Sequence, residues 1–190
     1  DVTDRQAVTD LIRMNGLVDV VIPRGSARLI QAVVQNATVP VIETGAGVCH
    51  TFVDESADCD MARRIAFNAK VQRPSVCNAM ETLLVHEKVA DAFLPQMLKD
   101  YFSAGVTIFG CEQTQKFDSR IQAATEEDWA TEYGDLRLSV KIVRDLDEAL
   151  AHIARYSTRH SECIVTRNME NARRFQAEVD AAVVYVNAST

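Results

Sequence analysis

Apolar residues recur along this chain with two alternating periods, one helical and one extended. In "TDRQAVTDLIRMNG", Ala7, Val8, Leu11 and Ile12 share a helical face, Thr3 and Gln6 form a capping box, and Gly16 is a stop. "VDVVI" (18–22) is a short β-branched run closed by Pro23, "SARLIQAVVQNA" has helical spacing through Leu29, Ile30, Val33 and Val34, and "VPVIE" is another short strand. After "ETGAG" the alternation resumes: "TFV" as a strand, "DCDMARRIAFNAK" as a helix, and "TLLVH" as a strand. Next comes the amphipathic "VADAFLPQMLKDYFSAG", stopped by Gly105 and bent or split by Pro95, and then the strand "VTIFG". Between 111 and 134 the pattern loosens into a loop with short helices, anchored by Trp129. "LRLSVKIV" alternates Leu136, Leu138, Val140 and Ile142, which predicts a strand with unlike faces. Two further helices, "DLDEALAHIARYS" and "MENARRFQAEVD", are separated by "CIVT" and followed by "AAVVYVN". This order predicts an α/β fold with a parallel-type sheet and flanking helices. In such sheets ligands gather at the carboxyl ends of strands, where this chain carries "PRGS", "ETGAG", "VTRN" and "VNAST".

Composition narrows the function. With 190 residues, 47% of them hydrophobic and 25% charged, the chain can bury a core without staples. Acidic residues number 27 against 20 basic ones, for a net charge of −7, and the basic residues are scattered. That argues against nucleic acid or a membrane surface as partner. Neither an apolar run of about 18 residues nor a basic-then-apolar start occurs, so a cytoplasmic protein is expected. Five cysteines at irregular spacing, without C-x-x-C, form neither a disulfide framework nor a usual zinc pattern. His50, His86, His152 and His160 lack the spacing of a triad and are expected to be mostly surface or capping residues.

One stretch concentrates candidate chemistry. In "QRPSVCNAMETLLVH", Cys77 follows Pro74 by three residues and leads a run that can start a helix, where unpaired N–H groups and the helix dipole favour a thiolate. Lys70 and Arg73 add positive charge nearby. A lone cysteine is more often a buried small hydrophobe; the polar Asn78, the small Ser75 and the charged flanks weigh toward a nucleophile. Cys49, beside the glycine loop, is a second candidate, whereas Cys59, Cys111 and Cys163 fall in or at the end of predicted elements. In "VIETGAGVCH", Glu43 is either a solvated carboxylate at a glycine turn or a base or cofactor contact beside the thiol, and spacing leaves both open. The "GAG" is too short for a dinucleotide fingerprint. "IPRGSARLI" puts a tight turn at Gly25 before a helix starting near Ser26, either an ordinary capped helix or a seat for an anion or cofactor edge.

Taken together, "VIPRGSARLI", "VIETGAGVCHTFVD", "QRPSVCNAMETLLVH", "TEYGDLRLSVKIV" and "VYVNAST" resemble the gamma-glutamyl phosphate reductase (glutamate-5-semialdehyde dehydrogenase) family, the proline-biosynthetic branch of the aldehyde dehydrogenase superfamily. The resemblance runs in order over essentially the whole chain. It implies an aldehyde-dehydrogenase-like catalytic domain at 44–190, preceded at 1–43 by the last β/α units of an NADP-binding domain. It implies NADPH-dependent reduction of L-glutamyl 5-phosphate through a thioester on Cys77, with Asn78 in the catalytic set. It also implies cofactor contacts at Gly25, Ser26, Glu43 and Gly45. The oxyanion donor would be the Cys77 N–H, joined by an asparagine of the cofactor domain outside this sequence. Glu43 matches the carboxylate that activates water in aldehyde-oxidising relatives, a task a phosphate-using reductase does not have. Family members are longer and homo-oligomeric, and glutamate 5-kinase is the associated partner. A chain confined to these 190 residues is therefore expected to bind NADPH weakly and not to turn over. The alternatives are a member acting on another acyl donor or aldehyde, or a non-catalytic fragment.

Overall fold

The computed structural model of the protein describes residues 5–25, 27–43 and 45–190. Thr3, half of the expected capping box, and Ser26 lie outside them. The chain divides into two compact units, Asp1–Ala46 and Gly47–Thr190.

The first unit contains helices α1 (Arg5–Leu11) and α2 (Ala27–Asn36). Ile12, Ile30, Val33 and Val39 are its buried apolar residues. The two strands expected at 18–22 and 39–43 shrink to isolated parallel bridges, Asn15 with Val18 and Val21 with Val41. Val21 donates to the Pro40 carbonyl and Ile42 to the Val21 carbonyl, both at 2.9 Å. Pro23 and Pro40 lack ladder donors on either side of that bridge, which confines the pairing to it.

The second unit is a seven-stranded, wholly parallel sheet in the order β4-β3-β5-β2-β1-β6-β7. The strands are β1 (Cys49–Val53), β2 (Met80–His86), β3 (Thr107–Gly110), β4 (Gln122–Ala123), β5 (Arg137–Val143), β6 (Ser161–Val165) and β7 (Val183–Val186). Every residue of β1, β2 and β6 is buried, as expected for strands covered on both faces. Helices α3 (Cys59–Val71) and α4 (Glu87–Ser103) cover one face through Ala62, Ala66, Phe93, Leu94, Met97 and Tyr101. Helices α7 (Leu146–Tyr156) and α8 (Met169–Glu178) cover the other through Ala149, Ile153 and Phe175 against Phe52, Leu84 and Ile164. Two short helices, α5 (Glu112–Gln115) and α6 (Glu126–Trp129), occupy the loosely patterned segment, with Trp129 buried.

Helix starts follow from side chains that satisfy otherwise unpaired N–H groups. Asp58 accepts from Met61 N at 3.0 Å, His86 from Lys88 N at 3.1 Å, Asp145 from Glu148 N at 2.8 Å, and Asn168 from Glu170 N at 2.9 Å. Helix α4 runs through Pro95 unsplit, because its continuous buried face and the Tyr101 hydroxyl bond to the Ala66 carbonyl (2.8 Å) hold both halves. Gly105, at φ +79°, follows its end. Strand β5 does carry an apolar face, but its other face is largely covered too: Ser139 is fully buried and Lys141 half-buried. No helix among the described residues is long and apolar enough to cross a membrane.

Candidate active site

Helix α3 ends at Val71, and residues 72–79 form a turn whose internal backbone bonds are Val76 N to Arg73 O (3.4 Å) and Ala79 N to Val76 O (2.9 Å). Strand β2 begins at Met80. Cys77 therefore does not open a helix, contrary to the sequence expectation. The run "METLLVH" pairs with β1 on one side and β5 on the other, and that two-sided burial overrides the helical preference of Ala-Met-Glu. Cys77 accordingly stands at the amino edge of the parallel sheet, not at its carboxyl ends. The expected carboxyl-end segments 165–168 and 186–190 are instead tied together: Thr166 N donates to Asn187 Oδ1 at 2.9 Å, and the Thr166 hydroxyl donates to Asp54 at 2.7 Å.

Cys77 is exposed, Cys59 and Cys111 are half-buried, and Cys49 and Cys163 are buried. Among the described residues none accepts a hydrogen bond from the Cys77 N–H, so the turn leaves a bare donor beside the thiol. Asn78 is half-buried next to it, and its amide has no hydrogen-bond partner among the described residues. Beneath the turn, the Cys49 thiol donates to the Cys77 carbonyl at 3.4 Å. Burial, ahead of the charge on Glu162, pushes that thiol up to about 12, so Cys49 is a protonated hydrogen-bond donor at neutral pH.

Gly47 completes the contact. A Cβ at Gly47 would stand 1.6 Å from the Cys77 carbonyl oxygen, a distance no side chain tolerates. The segment is held from across the sheet: Gly47 N donates to Glu132 (2.9 Å), Val48 N to Thr158 (2.9 Å), and His50 N to Glu162 (2.7 Å). The sequence signal for Gly47 was present in "ETGAG", but a glycine needed for close approach reads the same as one needed for a turn.

Two buried charged groups flank these residues. Lys70, expected to assist the thiol electrostatically, instead binds Glu81 at 2.6 Å, with side chains 0% and 1% exposed. Burial outweighs the attraction between them, raising Glu81 to about 7 and lowering Lys70. His50 and His152, expected mostly at the surface, are buried: His50 Nδ1 lies 3.1 Å from Glu162, and the two imidazoles meet edge-on at 5.5 Å. His86 is the cap of α4, as the sequence suggested. Sequence spacing did not reveal the His50–Glu162 pair, which is brought together only by the β1/β6 register.

The remaining candidates lie in the first unit. Gly25 has φ +148°, a conformation that side chains rarely adopt, just ahead of α2. Glu43 is exposed; Gly45 is exposed, with no heavy atom within 4 Å of where a Cβ would stand.

Fold and thiol together define a class: a parallel α/β unit presenting one exposed cysteine, with a free backbone donor, from a turn at the edge of its sheet. The sequence model of the aldehyde dehydrogenase family matches residues 2–125, and the chain belongs to that family. It is 62% identical over 190 residues to a gamma-glutamyl phosphate reductase of Moorella thermoacetica, covering 100% of this chain and 46% of that protein. The reductase of the same name from Caldanaerobacter subterraneus subsp. tengcongensis is 60% identical over 188 residues, covering 99% of this chain and 45% of that protein. Among solved structures, the gamma-glutamyl phosphate reductase of Thermotoga maritima superposes with a TM-score of 0.96 at 53% identity, over 98% of this chain and 45% of that one. An acetylating aldehyde dehydrogenase from Geobacillus thermoglucosidasius, 18% identical, shares the fold at a TM-score of 0.75, over 98% of this chain and 50% of that one. The chain thus spans less than half the length of the curated relatives it matches.

Proposed function

We propose that this chain carries the thiol-bearing part of a gamma-glutamyl phosphate reductase, which converts L-glutamyl 5-phosphate to L-glutamate 5-semialdehyde and phosphate in proline biosynthesis in the cytoplasm. The observation that carries this is the Cys77 turn, with the exposed thiol and unpaired N–H of a nucleophile, in a chain 62% identical throughout to a reductase of that name. Residues 1–43 would belong to the NADP-binding domain and 44–190 to the catalytic domain.

Cys77, as thiolate, attacks the acyl carbon: a C–S bond forms, the C–O bond to phosphate breaks, and phosphate leaves with the bonding pair. A thiolate suits both halves of the reaction, being a strong nucleophile toward an activated acyl group and later a good leaving group. Charge developing on the acyl oxygen meets the Cys77 N–H, with the Asn78 amide as a neighbouring donor. Cys49 and Gly47 hold the Cys77 carbonyl on the far side of the same residue, which keeps that N–H from turning away. NADPH, when bound, supplies the hydride that takes the acyl carbon to the aldehyde level. Gly25, Ser26, Glu43 and Gly45 would hold its nicotinamide end, and the open space at Gly45 fits a flat group lying against the main chain. Expulsion of the Cys77 thiolate releases the semialdehyde. An acyl phosphate is a reactive anhydride, so a glutamate 5-kinase is the partner that would supply it, and a homo-oligomer is the assembly proposed for the natural protein.

The test runs the reaction in reverse with the full natural chain, following NADP⁺ reduction by glutamate 5-semialdehyde. Activity that requires inorganic phosphate and disappears in Cys77→Ser is expected. Phosphate-independent activity would overturn the substrate assignment in favour of an aldehyde-oxidising member of the family, and would promote Glu43 to general base.

A further inference from the structure

The Cys77 turn has few internal hydrogen bonds, so its shape is set by how its two ends are held. Lys70, in the last turn of α3, and Glu81, the second residue of β2, flank it and meet at 2.6 Å in full burial. The second Glu81 oxygen accepts from Gly134 N at 3.2 Å. Lys70 Nζ stands 6.0 Å from the centre of the Tyr133 ring, and the Tyr133 hydroxyl reaches Asp128 and Ser139, both at 2.9 Å. The pair therefore joins both ends of the turn to each other and to the segment leading into β5. A buried ion pair loses hydration at both charges, and apolar residues of similar volume are often equally stable in its place. Stability alone thus gives no reason for a lysine and a glutamate at this point, whereas a fixed, directional contact beside a nucleophile does.

We propose that Lys70 and Glu81 are positioning residues for Cys77, their ion pair closing the base of the turn and fixing the direction of the Cys77 thiol and N–H. The proposal rests on Cys77 being the nucleophile.

Three variants test it in the full natural chain: Glu81→Gln, which keeps an acceptor for Gly134 N but removes the charge; Lys70→Met; and the apolar double variant Lys70→Met/Glu81→Met. For Glu81→Gln, kcat is expected to fall about 10- to 100-fold while KM for the semialdehyde stays within about threefold, as for a displaced reacting group. The double variant is expected to keep the wild-type melting temperature yet retain the low kcat. A folded double variant with wild-type kcat would overturn the proposal, because the pair would then only pack. Should the double variant not fold, Glu81→Gln decides alone: an unchanged kcat, or a loss confined to KM, overturns it. Alkylation of Cys77 by iodoacetamide, read by peptide mass spectrometry, needs no substrate and is expected to change severalfold in Glu81→Gln and Lys70→Met. If wild-type turnover proved independent of Cys77, the nucleophile assignment would fail by itself; unaltered alkylation in these variants would count against the brace itself.

Discussion

The Gly47 α-carbon and the Cys77 carbonyl oxygen occupy a space that admits no side chain, since a Cβ would come within 1.6 Å of backbone rather than of a flexible tip. Gly47→Ala must therefore displace one of the two segments. We expect a stability loss of about 1–3 kcal/mol and a fall in kcat/KM on the order of a hundredfold. Chemical denaturation and steady-state kinetics check this; wild-type kinetics in Gly47→Ala would show that the close approach is not required. His152 gives a second residue-scale prediction. Burial first, and His50 next, pull its imidazole down from 6.5 to about 2, so the folded state binds its proton far less readily than the unfolded chain. Its contribution to stability is complete above pH 6.5 and is lost progressively as pH falls below that value. Glu81, raised from 4.5 to about 7, acts with the opposite sign, favouring the folded state below 4.5 and losing that effect as pH rises through 7. The measurement is thus a difference: between pH 7 and pH 5 the melting temperature of His152→Phe should gain on that of the wild type. Parallel curves would contradict a neutral buried His152.

At the scale of elements, helix starts are set by single side chains. Asp145 caps α7 by accepting from Glu148 N at 2.8 Å, so Asp145→Ala should cost about 1 kcal/mol by denaturant titration. No measurable loss would mean that water replaces the cap fully. The local pattern revealed most elements of the second unit, because amphipathic helices such as α7 and β-branched runs such as β7 carry their period in a few consecutive residues. It failed where tertiary burial decides. The strand at "TLLVH" was legible, but "NAME" ahead of it has the residues of a helix start, and only pairing with β1 extends the strand back to Met80. The strands around Val21 and Val41 looked extended by composition, yet prolines on both sides leave one bridge between them.

At the scale of the whole molecule, the exposure of Cys77 was legible because its neighbours are polar. The direction from which it is presented was not, since the amino edge of a parallel sheet is defined only by strand order and polarity. The residues that hold it, Gly47, Cys49, Lys70 and Glu81, come from three places along the chain and meet only through the register of β1 with β2 and the packing of α3. The central claim is that this assembly makes Cys77 an acyl-carrying nucleophile. The most direct test incubates the full natural chain with glutamate 5-semialdehyde and NADP⁺ without phosphate, quenches in acid, and maps the peptides by mass spectrometry. A γ-glutamyl adduct on the Cys77 peptide, absent when phosphate is added and absent in Cys77→Ser, is the predicted result; an adduct on another residue, or turnover without one in Cys77→Ser, would contradict it.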